Sequence, residues 1–169
     1  MKTHGYRAYV HWTAANGEGT KSYRSYSRNH EIGADGKPDI AASSDPAFRG
    51  DAGRYNPEEL LVASLSSCHM LWYLHLASVS GITVVEYRDE ASGEMEESDD
   101  GAGRFLRVEL RPKVTIAGGG ETARALAVHH DAHARCFIAR SVNFPVNVNA
   151  EIVRRGAQAT TAAPRKRRP

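Results

Sequence analysis

Residues 56 to 81, NPEELLVASLSSCHMLWYLHLASVSG, decide how the chain folds, because they read as one long helix with a marked start and stop. Asn56 suits the N-cap, where a side-chain oxygen accepts from an otherwise unpaired backbone N–H. Pro57 suits the first helical position, where its missing donor costs nothing. Glu58 and Glu59 place negative charge at the positive end of the helix dipole, and Gly81 suits a C-terminal stop. Between them Leu60, Leu61, Leu65, Met70, Leu71, Trp72, Tyr73, Leu74 and Leu76 point in nearly every direction around the axis. A helix apolar all round is expected to be buried. Ser64, Ser66, Ser67, His69, His75 and Ser78 interrupt the roughly 20 apolar residues of a membrane span, so no membrane is expected. Cys68 lies in the middle of this helix, and taken alone it reads as a small buried hydrophobe.

Upstream, residues 6–14 (YRAYVHWTA) alternate and read as a strand, Asn16-Gly17-Glu18-Gly19 as a turn, and 20–27 (TKSYRSYS) as the returning strand of a hairpin. Residues 33–55 read as a long loop of a length that is often functional. Downstream, 82–88 reads as a strand and 104–116 as a longer one, with an acidic, glycine-containing exposed hairpin end between them. Residues 121–135 (ETARALAVHHDAHAR) read as a second helix, with Cys136 at its end and a short helical FIARSV beyond. Residues 146–153 alternate as a last strand. Strands, a core helix, a second helix and a final strand make an α+β layout.

The 169 residues suit a single domain with a real core. Hydrophobic content of 41% and charged content of 25% are ordinary for a soluble globular chain. The first residues lack the apolar run of a signal peptide. Two cysteines 68 positions apart form neither a disulfide framework nor a C-x-x-C pair, so a reducing cytoplasm is expected. The net charge of +2 is uneven: residues 154–169 hold six Arg or Lys and no acid, leaving +2 − 6 = −4 for the rest. We expect a folded region over 1–153 and a solvated, disordered basic tail over 154–169. A mildly acidic body offers no basic groove, so no nucleic-acid partner is expected.

Two cysteines on or beside buried helices could act together. Peroxide reduction by thiols needs one thiolate to attack the O–O bond and a second thiol to resolve the sulfenic acid as a disulfide. The fold would have to bring their Cα atoms within about 4.4–6.8 Å. The surrounding motifs are more specific. N-P-E-E-L-L-x-A-S-L-S-S-C, residues 56–68, resembles the signature of the OsmC/Ohr family of thiol peroxidases (osmotically induced protein C and organic hydroperoxide resistance proteins). A-H-A-R-C-F-I-A-R-S, residues 132–141, resembles that family's second-cysteine segment. The order of elements matches over about residues 4–153.

The resemblance implies an OsmC-like α+β fold, with antiparallel sheets wrapped around a long buried central helix in an intertwined homodimer. It implies reduction of organic hydroperoxides, a role in oxidative stress, no bound cofactor, and recycling by an external dithiol of the dihydrolipoyl type. By position, Cys68 matches the peroxidatic cysteine, Cys136 the resolving cysteine and Glu58 the active-site glutamate. Arg49, in AFRGD, is the closest match to the family's arginine, and Arg28, in YSRNHEI, is the runner-up. The chain departs from the family in His69 after Cys68, where an aromatic is common, and in Phe137 after Cys136, where proline is usual. The loop ahead of the helix is also longer. These departures point to a less characterised branch. A non-catalytic dimer binding a small apolar ligand beside Cys68 is the alternative reading, because function belongs to the site rather than to the fold.

Elementary chemistry supports the arginine. Cys68 is the twelfth helical residue, beyond reach of the helix dipole, so a buried thiolate there needs a side-chain cation. Arginine stays charged when desolvated and can fork between thiolate and carboxylate, and Glu58 would hold it. Ten residues of helix put Glu58 about 15 Å from Cys68 along the axis and roughly 80° around it. Either the helix starts later than Pro57, or a second chain supplies the Glu58–Arg pair at a dimer interface. His129 and His133 share one helix face and with His130, His69 or Asp131 could ligate a metal. The H-E-x-x-H pattern is missing, and no metal site is expected.

Overall fold

The computed structural model describes residues 1–13, 17, 19–118 and 121–156. The turn expected at Asn16–Gly19 therefore lies partly outside the described residues, and the basic tail does so from residue 157 onward. The chain divides into two compact units, Met1–Ser64 and Leu65–Pro169.

Helix α1 spans Pro57–Val79, with both ends closed as the sequence dictates. Asn56 Oδ1 accepts from the Glu59 N–H at 2.7 Å, and the Asn56 N–H donates to Glu59 Oε2 at 3.1 Å. This is a reciprocal capping box, so the helix starts at Pro57 and not later. At the other end Gly81 takes φ +73°. The Ile82 N–H reaches the Ala77 carbonyl at 2.9 Å and the Gly81 N–H reaches Ser78 at 3.0 Å, which is a Schellman stop. Within the chain only the stripe Leu65, His69, Tyr73 and Ala77, spaced by four, is buried. The expectation of burial on every face is thus corrected: Leu71 stays 62% exposed and Val79 69% exposed. By length and composition alone α1 could cross a membrane. Its Tyr73 and Ala77 instead pack into an α+β core.

In the first unit, β1 (Tyr9–His11), β2 (His30–Gly33) and β3 (Ile40–Ala42) form one antiparallel sheet. The returning strand is therefore residues 30–33, pairing Tyr9 with Gly33, and not 20–27, which are turns and bends. The reason lies in Ser25 and Arg28. Ser25 Oγ accepts from the Ser22 N–H and donates to the Gly19 carbonyl, each at 3.0 Å. The Arg28 guanidinium donates to the carbonyls of Tyr26 and Tyr23 at 2.6 and 2.7 Å. Side chains thus offer this backbone an alternative to a strand ladder. The long loop carries β3 and a 3₁₀ turn at Pro46–Phe48, capped by Asp45, whose carboxylate accepts from the Ala47 N–H at 2.7 Å. A methyl at Gly50 would sit 1.6 Å from the Ser44 carbonyl oxygen, so only glycine fits this close approach.

In the second unit, β4 (Val84–Asp89), β5 (Ser92–Glu97), β6 (Gly103–Leu110) and β7 (Pro112–Ile116) precede α2 (Thr122–Arg135). A 3₁₀ turn (Ala139–Ser141), β8 (Val146–Val148) and β9 (Glu151–Arg154) follow. The strands form two sheets, β4-β7-β9 and β5-β6-β8. Both long strands expected from the sequence are broken in two. At Arg111 the N–H donates to the Asp89 carboxylate at 2.6 Å, and Pro112 has no donor to continue a ladder, so β6 and β7 enter different sheets. The break between β8 and β9 matches it, with the Asn149 N–H on the Leu110 carbonyl at 2.8 Å. The acidic segment expected as a hairpin end contributes the exposed strand β5, antiparallel to β6, and residues 98–102 form the turn between them. The sheets are mixed rather than antiparallel throughout, because β8 runs parallel to β6 and β9 parallel to β7.

The core of this unit gathers Tyr73 and Ala77 of α1, Ile82, Val114 and Ile116, and Ala125, Val128 and Ala132 of α2. Each large side chain buried here stabilises the fold by about 1.5–3 kcal/mol. The α+β class expected from the sequence stands.

Candidate functional site

Both cysteines belong to the second unit, and the fold makes them neighbours. Cys68 is half-buried on α1, Cys136 is buried as the C-cap of α2, and both are free thiols. Burial first, opposed by the Ala139 N–H and helped by a hydrogen-bond interaction with Cys68, leaves the Cys136 thiol pushed up to about 11. The Ala139 N–H stands 3.5 Å from Cys136 Sγ. At neutral pH Cys136 is therefore a protonated thiol. A thiol held protonated in this way is unsuited to begin as an attacking thiolate.

The face of α1 that carries Cys68 continues, at helical spacing, into Leu71, Trp72 and His75, which line a recess of about 240 Å³. Phe137, directly after Cys136, meets Trp72 edge to face with ring centroids 5.4 Å apart, and remains 64% exposed. An apolar recess thus lies along the cysteine-bearing face. The recess is not legible in the sequence, where residue 137 shows only as a departure from proline.

Of the HHDAH segment, His130 and Asp131 are exposed, whereas His129 is only 4% exposed and His69 of α1 is fully buried. His69 Nε2 and His129 Nδ1 are hydrogen-bonded at 2.9 Å, with the rings within 9° of parallel. Tyr73 stacks on His129 at 4.0 Å. Burial, then His133, with Asp89 opposing, lower the pKa of His69 to about 4; burial and His69 lower His129 to about 3. Both rings are neutral at neutral pH. The available signal was the four-residue spacing Leu65, His69, Tyr73, Ala77, which puts His69 on the buried stripe. Among the described residues no three His, Cys, Asp or Glu side chains form a metal-binding group.

This pair makes stability depend on pH in one direction. Unfolded, both imidazoles protonate near pH 6.5; folded, they resist protonation to about pH 4 and about pH 3. In between, the unfolded chain binds more protons, so the stabilisation is complete above pH 6.5 and is lost as pH falls toward 4. The urea midpoint should fall between pH 6.5 and pH 5 by an amount corresponding to on the order of 2 kcal/mol or more. A double variant, His69→Phe with His129→Leu, should flatten that fall; an equally steep fall would contradict it.

The remaining candidates lie in the first unit. Glu58 is in the first turn of α1, and its Oε2 is buried without a hydrogen-bond partner. Arg28 lies over the rings of Tyr26 and Tyr23, 4.0 and 4.4 Å from their centroids. Arg49 approaches the same Tyr23 ring at 6.0 Å. It is also the single non-glycine residue with positive φ among the described residues, at +67°. No ion pair joins Glu58 to either arginine among the described residues.

Comparisons with known proteins agree with this architecture. The profile of the OsmC-like protein family matches residues 50–151. An OsmC-like protein of unknown function from Vibrio cholerae is 36% identical, with a TM-score of 0.79 over 89% of this chain and 100% of its own. An organic hydroperoxide resistance protein from Elizabethkingia anophelis shares 20% identity over 92% of this chain and 100% of its own, TM-score 0.62. OhrB, the organic hydroperoxide resistance protein of Bacillus subtilis, shares 21% over 87% and 98%, TM-score 0.54. No curated protein matches. On the family profile and the Vibrio cholerae relative, this chain belongs to the OsmC-like protein family.

Proposed function

We propose that this protein is a thiol-dependent reductase of organic hydroperoxides, working in a reducing cytoplasm as a homodimer and recycled by an external dithiol. The observation that carries the reading is the neighbouring pair of free thiols, one half-buried on α1 and the other buried and held protonated. The Cys68 thiolate attacks the outer peroxide oxygen. An S–O bond forms, the O–O bond breaks, and the alkoxide leaves as an alcohol after taking a proton. The Cys136 sulfur then attacks Cys68, forming S–S and breaking S–O, and the oxygen leaves as water with the Cys136 proton. The dithiol takes the disulfide back to two thiols. The recess at Leu71, Trp72 and His75 supports an organic rather than a purely polar substrate.

Glu58 and Arg49 are assigned the electrostatic roles. A buried carboxylate oxygen with no partner is costly, and a guanidinium from a second chain would relieve it. Holding a non-glycine residue at positive φ costs on the order of 1–3 kcal/mol, which favours Arg49 over Arg28 as the residue kept for function. Arg49→Ala is expected to slow Cys68 oxidation by cumene hydroperoxide at neutral pH by on the order of 100-fold. It should also raise the pH at which the thiolate absorbs. A larger effect of Arg28→Ala would move the assignment there.

The apolar recess also fits a second reading, a non-catalytic dimer that binds a small apolar ligand. An inert Cys68 together with saturable binding of such a ligand would select it.

A further inference from the structure

The His69–His129 pair has no part in the chemistry proposed above, yet it joins the two helices that carry the thiols. His69 follows Cys68 on α1, and His129 lies two turns before Cys136 on α2. Their hydrogen bond is 2.9 Å long, with the rings nearly coplanar, so the lone pair and the N–H are well aligned. One turn along each helix, the Tyr73 hydroxyl donates to the Ala125 carbonyl at 3.2 Å. The first contact joins 69 to 129 and the second joins 73 to 125, so the helices run antiparallel here. The His129 ring is packed between His69 and Tyr73.

We propose that the His69–His129 hydrogen bond positions the two cysteines, fixing the rotation and axial register of α2 against α1 so that Cys136 can reach Cys68. Sulfurs must approach to about 2.05 Å with a narrow range of Cα separations, and one residue of helical slip moves a side chain by 1.5 Å. Apolar packing between helices tolerates such slips, whereas a directional bond between two buried neutral rings does not. The outer nitrogens, His69 Nδ1 and His129 Nε2, are buried and have no hydrogen-bond partner among the described residues. The groups that face them are His133, 6.5 Å from His69, Tyr73 on the ring face, and Asp89 acting on His69 through its charge.

This inference rests on reading Cys68 and Cys136 as a redox pair, but it does not require peroxide as the oxidant. The test is therefore the effective concentration of the pair in a glutathione redox buffer, measured on the full chain. His129→Leu is expected to lower it about tenfold or more, as loss of one buried hydrogen bond implies. His129→Asn, which returns an amide to the Nδ1 position, should restore most of it. Val114→Ala, a core truncation on β7 that removes no atom of the hydrogen bond, should destabilise the fold without lowering the effective concentration. If His129→Leu does not fold, His129→Gln, whose amide is placed one bond too far, takes its place against His129→Asn. An unchanged effective concentration in the His129 variants would overturn the proposal. So would an equal fall in Val114→Ala at matched loss of stability. A wild-type chain that forms no Cys68–Cys136 disulfide would overturn both this inference and the redox reading, whereas a disulfide indifferent to His129 overturns this inference alone.

Discussion

Cys68→Ser is expected to reduce hydroperoxide consumption to the uncatalysed rate, while Cys136→Ser completes a first turnover and then stops. The two losses differ because the thiols are placed differently. Cys68 is half-buried, on the helix face that continues into the Leu71–Trp72–His75 recess. Cys136 is buried and its thiol is pushed up to about 11, so it waits as a protonated partner. Without it, the Cys68 sulfenic acid has no resolving thiol in reach and proceeds to sulfinic and sulfonic forms. Mass analysis of Cys136→Ser after excess cumene hydroperoxide should show additions of two and three oxygens confined to Cys68. Equal loss of the first turnover in both variants would contradict the assigned roles.

The second large effect is a gain. Chains carrying Cys68→Ser and chains carrying Glu58→Ala should each be inactive or nearly so, and mixing them should restore activity after subunit exchange. The capping box at Asn56 fixes the helix start at Pro57, which removes the option of Glu58 folding back from a later start. Ten residues of regular helix leave Glu58 about 15 Å from Cys68 along the axis. The apolar residues of α1 left uncovered by the chain itself, Leu71 above all, suit burial against a second copy. Two helices related by a two-fold axis would create two equivalent sites. In a mixed dimer one of those sites keeps an intact Glu58 and an intact Cys68. Half of the wild-type activity per mixed dimer is the expected recovery. No recovery after verified exchange would mean that Glu58 serves its own chain or is only a helix acid.

How much of this was legible depended on whether the signal was local. The capping box, the proline at the first helical position and the Gly81 stop are local, and α1 begins and ends where they say. The NPEEL motif and both cysteines are local as well, so the family was within reach. Strand pairing is not local. Residues 20–27 alternate like a strand, yet Ser25 and Arg28 tie that backbone to itself, and residues 30–33 take the place beside β1. The alternation over 104–116 says nothing of a change of sheet; Pro112 was the visible mark, and the Asp89 carboxylate that receives the Arg111 N–H lies far upstream. The His69–His129 bond joins residues 60 apart. The residue pattern could place each histidine on a buried stripe, but only the packing of α2 on α1 makes them partners. The arginine could not be chosen from the sequence, because both candidates sit in irregular backbone where spacing carries no geometry. In the folded unit both arginines approach the same Tyr23 ring.

The cycle proposed above depends on the pairing of Cys68 and Cys136 as one redox couple. Its most direct test is the intact mass of the reduced, full-length protein after one equivalent of cumene hydroperoxide, followed by peptide mapping without reductant. The expected result is a loss of two hydrogens per chain and a single cross-linked species joining the Cys68 peptide to the Cys136 peptide, reversed by a dithiol. An unchanged mass, or oxygen added at Cys68 with Cys136 still a free thiol, would contradict it.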